Sequence, residues 1–152
     1  MMVNLNLKLT CAIARSTHLL GDKWSLLILR DMLLHKKSRF KDFMESKEKI
    51  ATNILTNRIK SLIDADLIVL LDKNSTKKSR QYIATQKGIS TLPIILELYM
   101  FSIKDINESV LNDQQIQIKK QIMSNSEKFI NSKRIGYMAF KEDLLSKVIE
   151  HK

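Results

Sequence analysis

Three groups of side chains in this sequence could do chemistry. On a helix stepping by about 100° per residue, Asn53, Asn57 and Lys60 point away from a buried face centred on Leu55, with Thr56 beside them. That face carries amides, a hydroxyl and an ammonium, and no carboxylate before Asp64. Asn can pair bidentately with adenine in a DNA major groove, while Lys and Thr suit guanine, phosphate or the thymine methyl. The second group is Lys73, Lys77, Lys78 and Arg80, four cations within eight residues, which suit phosphate contact. The third is Cys11, the single cysteine. At a helix N-terminus its thiolate gains from the macrodipole, with Arg15 one turn on, and such a thiol is easier to oxidise or alkylate. Each group also has a plainer reading: a solvated helix face, a solvated loop, a small buried hydrophobe.

The elements that must position these groups follow from the apolar pattern. Ile54, Leu55, Ile59, Leu62 and Ile63 recur with a helical period, so Ile50 to Leu67 is predicted as an amphipathic helix. Upstream, Thr10 is expected to cap a helix from Cys11 to Leu20, which Gly21-Asp22 breaks. A second helix is predicted from Trp24 to Leu34; its wide apolar set marks it as a central core element, with Trp24 a packing residue. After the turn at His35 to Ser38, Arg39-Phe40 opens a short element through Met44, followed by the polar turn Ser46 to Lys49. Three short helical segments in this order are a helix-turn-helix layout. Leu67 to Leu71 reads as a strand, Asp72 to Ser79 as a basic loop and Arg80 to Ala84 as the return strand. A hairpin in that position is a wing, which favours phosphate contact as the reading of its cations.

Thr85 is predicted to cap a helix running to about Ile106, with Gly88 in its first turn. Pro93 then requires a bend or a later helix start. Leu92, Ile95, Leu96, Leu98, Tyr99 and Phe101 offer more apolar surface than a chain this size covers alone, so a partner helix is expected. A helix over Ser109 to Met123, a break at Ser124 to Ser126 and a terminal helix from Phe140 to Ile149 complete the pattern. The expected fold is mainly α with a small β-hairpin wing: a winged helix-turn-helix with a helical C-terminal extension. Its parts are a 1–8 arm, a 9–106 DNA-binding and dimerisation domain and the 107–152 extension.

Composition agrees with that outline. A chain of 152 residues with 44% hydrophobic side chains suits one domain, and 3 Gly with 1 Pro suit a largely helical one. The 26 Lys+Arg against 16 Asp+Glu give +10, which points to a polyanion, nucleic acid before an anionic membrane surface. Residues 1–100 hold 17 basic and 9 acidic side chains, and residues 101–152 hold 9 and 7, so the polyanion site is expected in the first two thirds. No signal peptide or membrane span is evident, and the lone cysteine suits a reducing compartment, here the cytoplasm.

An enzyme is not expected, nor a metal or cofactor. His18, His35 and His151 are scattered without metal-ligand spacing, and no Gly-rich phosphate loop or Ser/His/Asp constellation stands out. A thiol enzyme built on Cys11 would find only His18 nearby as a base. Arg30 and Arg39 could pair with Asp31 or Asp42, or touch phosphate. Arg58 flanks the apolar stripe and could pin the helix to the domain or reach DNA. Arg39, Lys49 and Arg58 are therefore carried as DNA-backbone candidates.

Cys11-Ala-Ile-Ala, Leu20-Gly-Asp-Lys-Trp-Ser-Leu-Leu-Ile-Leu-Arg30, Arg39-Phe40, Leu55-Thr-Asn-Arg-Ile59, Tyr82-Ile-Ala-Thr-Gln-Lys-Gly88 and Leu92-Pro93 together resemble the HxlR-type family, bacterial winged helix-turn-helix transcriptional regulators related to the MarR group. The resemblance covers about residues 9 to 102. It implies a homodimer formed by the first helix and the Thr85 to Ile106 helix, a near-palindromic double-stranded DNA operator, and control of a nearby gene. By the same match Thr52, Asn53, Thr56 and Asn57 lie on the recognition helix, and Lys77, Lys78 and Arg80 on the wing. Some members use a Cys at the Cys11 place as a redox or electrophile sensor. With one Cys, a switch would need an intersubunit or a mixed disulfide; a small effector at the dimer interface is a further expectation. This sequence departs from the family in having Asp66 where Gly is usual, no Pro in the wing, Phe101 in place of Trp, and a longer tail. The alternative function is a winged helix used as a protein-interaction module, its charge serving only solubility.

Overall fold

The computed structural model describes residues 10–151; the arm expected over residues 1–8 lies outside them. Helix α1 spans Ala12–Leu20, and its N-cap is Cys11, one residue later than the Thr10 expected, with no side-chain bond. Helix α2 spans Lys23–His35. Asp22 starts it: its Oδ1 accepts the Trp24 and Ser25 N–H groups at 2.9 and 3.0 Å, satisfying donors the helix cannot use itself. Ile28, Leu29, Met32 and Leu33 are all buried, which makes α2 the central element. Short helix α3, Phe40–Met44, begins where the Asp42 carboxylate accepts the Arg39 N–H at 3.0 Å.

Helix α4 spans Thr52–Asp64 and buries Leu55, Ile59 and Leu62. It stops in a Schellman turn: Leu67 N–H donates to Leu62 O at 2.9 Å and Asp66 N–H to Ile63 O at 3.0 Å. That turn holds Asp66 at φ 59, a conformation costly for any residue with a Cβ. Asp66→Gly should therefore raise stability by about 0.5–1 kcal/mol, read as a higher urea midpoint at unchanged m-value; an unchanged or lower midpoint would refute the strain.

Strands β1, Ile68–Leu70, and β2, Tyr82–Ala84, pair antiparallel with Ile68 opposite Ala84 and Leu70 opposite Tyr82. Both are shorter than the sequence suggested. Leu67 accepts Thr85 N–H at 3.0 Å in the sheet register, but its own N–H is spent on Leu62 O, and past Leu71 N–H, which reaches Gln81 O at 2.9 Å, the chain turns away into the wing loop. The outer edge of β2 is closed: Tyr82 N–H donates to Ser38 O at 2.8 Å, and Ala84 N–H to the Tyr137 hydroxyl at 2.8 Å.

The Thr85 to Ile106 segment is two helices, the second taking the later start that Pro93 allowed. Helix α5 is Gln86–Ile89 and α6 is Leu92–Ile103, with Pro93 in its first turn, where a missing N–H costs nothing. The Thr85-x-x-Gly88 spacing has a physical basis. Thr85 Oγ1 accepts Gly88 N–H at 3.0 Å and donates to Asp66 O at 2.6 Å. A Cβ at Gly88 would lie 2.1 Å from the Leu67 carbonyl oxygen, so only glycine fits.

The C-terminal extension is more helical than expected. After a 3₁₀ turn at Glu108–Val110, α7 spans Asp113–Ser124 and α8 spans Ser126–Glu150. The terminal helix thus begins at Ser126, not Phe140, because Asn125 Oδ1 accepts Lys128 N–H at 3.0 Å and turns the polar break into a cap. Helix α8 packs on α2, α6 and α7, and its Tyr137 is 1% exposed within the main core. No described helix is long and apolar enough to cross a membrane. The architecture is a winged helix-turn-helix, mainly helical with a two-stranded hairpin.

Candidate nucleic-acid interface

Helix α4 presents Thr52, Asn53, Thr56, Asn57 and Lys60 on one exposed face. Leu55 and Ile59, which are 0% and 4% exposed, anchor the opposite side and fix this orientation. The Thr56 hydroxyl donates to Thr52 O at 2.9 Å, and Thr52 Oγ1 lies 3.9 Å from the Met44 sulfur. Both oxygens keep lone pairs for an incoming donor. Among the described residues, the side chains of Asn53, Asn57 and Lys60 have no hydrogen-bond or ion-pair partner. The N-terminus of α4 is uncapped by any side chain, since Ala51 is the N-cap, and no acidic residue occupies its first turn. First-turn N–H groups and the positive end of the helix dipole are thus available to an anion. Exposed Lys49, at φ 55, stands just ahead of that terminus.

The wing loop is shaped by local bonds. Asn74 N–H donates to Asp72 Oδ1 at 2.9 Å and Ser75 Oγ to Asp72 O at 2.6 Å. Thr76 and Ser79 close a second turn, their hydroxyls 3.0 Å apart. Lys73, Lys77 and Lys78 are exposed around these turns. Arg80 is only half-buried, and its Nε is turned inward with no hydrogen-bond partner.

The remaining cations separate into two groups. Arg39 forms no side-chain ion pair among the described residues, since Asp42 caps its backbone instead; it sits beside the wing, bridged through its backbone to Gln81. Arg58 faces inward: its Nε lies 3.7 Å from Asp22 Oδ1 and makes no hydrogen bond, so it ties α4 to the start of α2. Arg30 is committed to the fold. It grips Asp31 at 2.7 Å and Glu48 at 2.5 Å, while Lys37 approaches Asp31 at 3.4 Å. Burial lowers the Arg30 pKa, but its bonds to Glu48 and Asp31 outweigh burial and raise it overall.

Glu48 was not foreseen as Arg30's partner. The Arg30 hydrogen bond, acting against burial, lowers its pKa from 4.5 to about 2. A depressed folded-state pKa stabilises above the unfolded value and is lost as pH falls through the folded one. Stability should therefore decline between pH 4.5 and about 2. Glu48→Gln should remove that part of the decline and cost on the order of 1–2 kcal/mol at neutral pH, allowing for solvent screening. Urea unfolding at a series of pH values checks this; parallel curves for parent and variant would refute it.

Cys11 is exposed at the start of α1 and is not the buried hydrophobe that one reading allowed. Helix α1 has no fully buried residue, and Ile13 is 76% exposed. On α6, Leu92, Ile95 and Leu96 are buried, whereas Ile94, Leu98 and Phe101 are exposed on the opposite side, Phe101 at 77%. Two helices thus carry apolar surface their own chain leaves uncovered.

Residues 19–110 match a family model described as HxlR-like helix-turn-helix. No curated protein matches the chain. Several solved structures are similar. PA1607, described as a candidate transcription factor, is 27% identical with a TM-score of 0.60, over 69% of this chain and 72% of that one. The reduced form of the transcriptional regulator YodB from B. subtilis is 25% identical with a TM-score of 0.50, over 62% of this chain and 92% of that one. A regulator assigned to the MarR family, from Porphyromonas gingivalis W83, shares the fold at 23% identity and a TM-score of 0.54, over 64% and 94% of the two chains.

Proposed function

This chain belongs to the HxlR-like helix-turn-helix family and is a transcriptional regulator, and on that premise we propose that it acts as a homodimer on specific double-stranded DNA. Residues 9–106 form the DNA-binding and dimerisation domain, and 107–152 an extension that braces it. Each subunit lays α4 in a major groove, with Thr52, Asn53, Thr56, Asn57 and Lys60 toward the bases. The wing residues Lys73, Lys77, Lys78 and Arg80 lie along the backbone or minor groove, with Arg39 and Lys49 as further backbone contacts; Arg58, a candidate by sequence, is turned to Asp22 instead and holds α4 in place. The observation that carries this reading is the partnerless amide and ammonium face of α4, beside an uncapped helix N-terminus and an exposed basic hairpin. The uncovered faces of α1 and α6 support a two-fold dimer. Such a dimer reads half-sites about 34 Å apart on a near-palindrome.

Selection from a pool of random duplexes at moderate salt, followed by sequencing, tests the reading. A palindromic motif with half-sites one turn apart is expected. Absence of binding even at low salt would sink it and leave the protein-interaction module.

Thiol switching at Cys11 is part of the same proposal. Solved forms of YodB include a reduced and a diamide-treated one, and here Cys11 is exposed at a helix start. Diamide should lower affinity for the selected duplex about tenfold or more, and Cys11→Ser should abolish the response. An equal response in Cys11→Ser would remove Cys11 from the mechanism.

A further inference from the structure

A cavity of about 460 Å³ lies between α2, α6, α7 and α8, within the size range of small-molecule sites. Its far wall belongs to the extension. Ile118 and Ile122 come from α7 and Phe129 from α8, facing Leu34 on α2 and Ile95 and Leu96 on α6. A chain ending near residue 110 would leave this space open to solvent. The exposed Ile94, Leu98 and Phe101 are on the other side of α6, so the cavity is distinct from that uncovered face.

The polar groups of this apolar chamber are two cations, an imidazole, and the neutral Tyr99, Gln114 and Gln115, with no carboxylate among them. Arg30, His35 and Lys133 all line it. Arg30 is already neutralised by Asp31 and Glu48. Lys133 has no ion pair among the described residues; its ammonium sits 5.4 Å from the Phe129 ring centroid. The His35 ring has no hydrogen-bond partner there either. Burial lowers the His35 pKa; Arg30, Lys37 and Lys133 push the same way, and only Asp31 opposes them. An ammonium that has a ring contact but no ion pair, at the edge of an apolar chamber, is matched by a negative charge carried on an apolar body.

We propose that this cavity binds an organic monoanion, a carboxylate or sulfonate head on an apolar body. The head meets Lys133 and His35, and the body lies between Ile95, Leu96 and Ile118. Binding itself does not depend on DNA; use of the site as an effector pocket rests on the DNA-binding reading. The test is therefore run without DNA, so that failure of the site and failure of the DNA reading remain separate.

The probe is 8-anilinonaphthalene-1-sulfonate, followed by fluorescence on the full chain and displaced by octanoate or octanol. One probe per chain is expected, displaced by octanoate far better than by octanol. Lys133→Gln should weaken probe binding about tenfold with an unchanged thermal midpoint of the free protein. Ile118→Trp, which fills the chamber, should abolish it. Equal displacement by octanol would overturn the anion assignment. Parent-like binding in both variants would place the probe elsewhere and overturn the site.

Discussion

Asn53→Ala weakens binding to the selected operator by about 1–3 kcal/mol per half-site. A two-fold complex loses the contact twice, so the expected loss per dimer is roughly 2–6 kcal/mol. The size of the effect comes from what Asn53 lacks in the free chain: it is exposed and has no partner among the described residues, so nothing within the fold is disturbed by its removal. Affinity for random duplex should stay unchanged, because a base contact carries no sequence-independent energy. Lys78→Ala makes the contrast. It should weaken specific and random duplexes alike and reduce the salt slope by about one counterion per lysine removed. Titrations of both variants on both duplexes, at two or more salt concentrations, check the pair. Equal losses on specific and random DNA for both variants would refute the assignment of bases to α4 and phosphates to the wing.

Tyr137→Ala should destabilise the whole domain by about 3–5 kcal/mol, the usual loss for a fully buried aromatic. Tyr137 is 1% exposed, and Phe140 lies beside it with ring centroids 6.0 Å apart. Its hydroxyl accepts the Ala84 N–H at 2.8 Å, and burial pushes its pKa up to about 12, so it stays neutral across the physiological range. Tyr137→Phe isolates the hydrogen bond: it keeps the ring and leaves a buried N–H without an acceptor, at about 1–3 kcal/mol. Chemical denaturation gives both values. A Phe variant as stable as the parent would mean that Ala84 finds another acceptor and that the extension holds the wing by packing alone.

Features set by neighbours in sequence were legible in it. Thr85 as a cap three residues before Gly88 and the helical period of Leu55, Ile59 and Leu62 each involve groups within a turn of one another; Asp22, read only as part of a break, also caps α2. The expected fold and family resemblance rest on such features. Non-local features left no trace. The Arg30–Glu48 pair spans 18 residues, and a tyrosine hydroxyl meeting a backbone N–H 53 residues away has no signature at all. Helix α8 was under-read for another reason. Tyr137 is its one fully buried residue while Ile135, Met138 and Ile149 are exposed, so its apolar residues do not sort to one face and no single-face period emerges. The strands are shorter than the apolar pattern suggests because Leu67 and Leu71 are apolar like strand residues, although the Leu67 N–H is committed to Leu62 O in the turn that ends α4. On α4 the outward direction of the side chains could be read from spacing; that Arg58 turns to Asp22 depends on where α2 begins in space.

Helix α1 has 9 residues and no fully buried one. A helix that short is marginal in water by itself. Its own chain holds it mainly through α2 and Leu20, so in the proposed dimer the second chain would add to its order and make part of that order depend on association. Cys11, the N-cap of that segment, would then meet a firmer helix terminus in the associated fraction. On that proposal the chemistry of the thiol would depend on how much protein is present as well as on the oxidant, and dilution alone would change its reactivity.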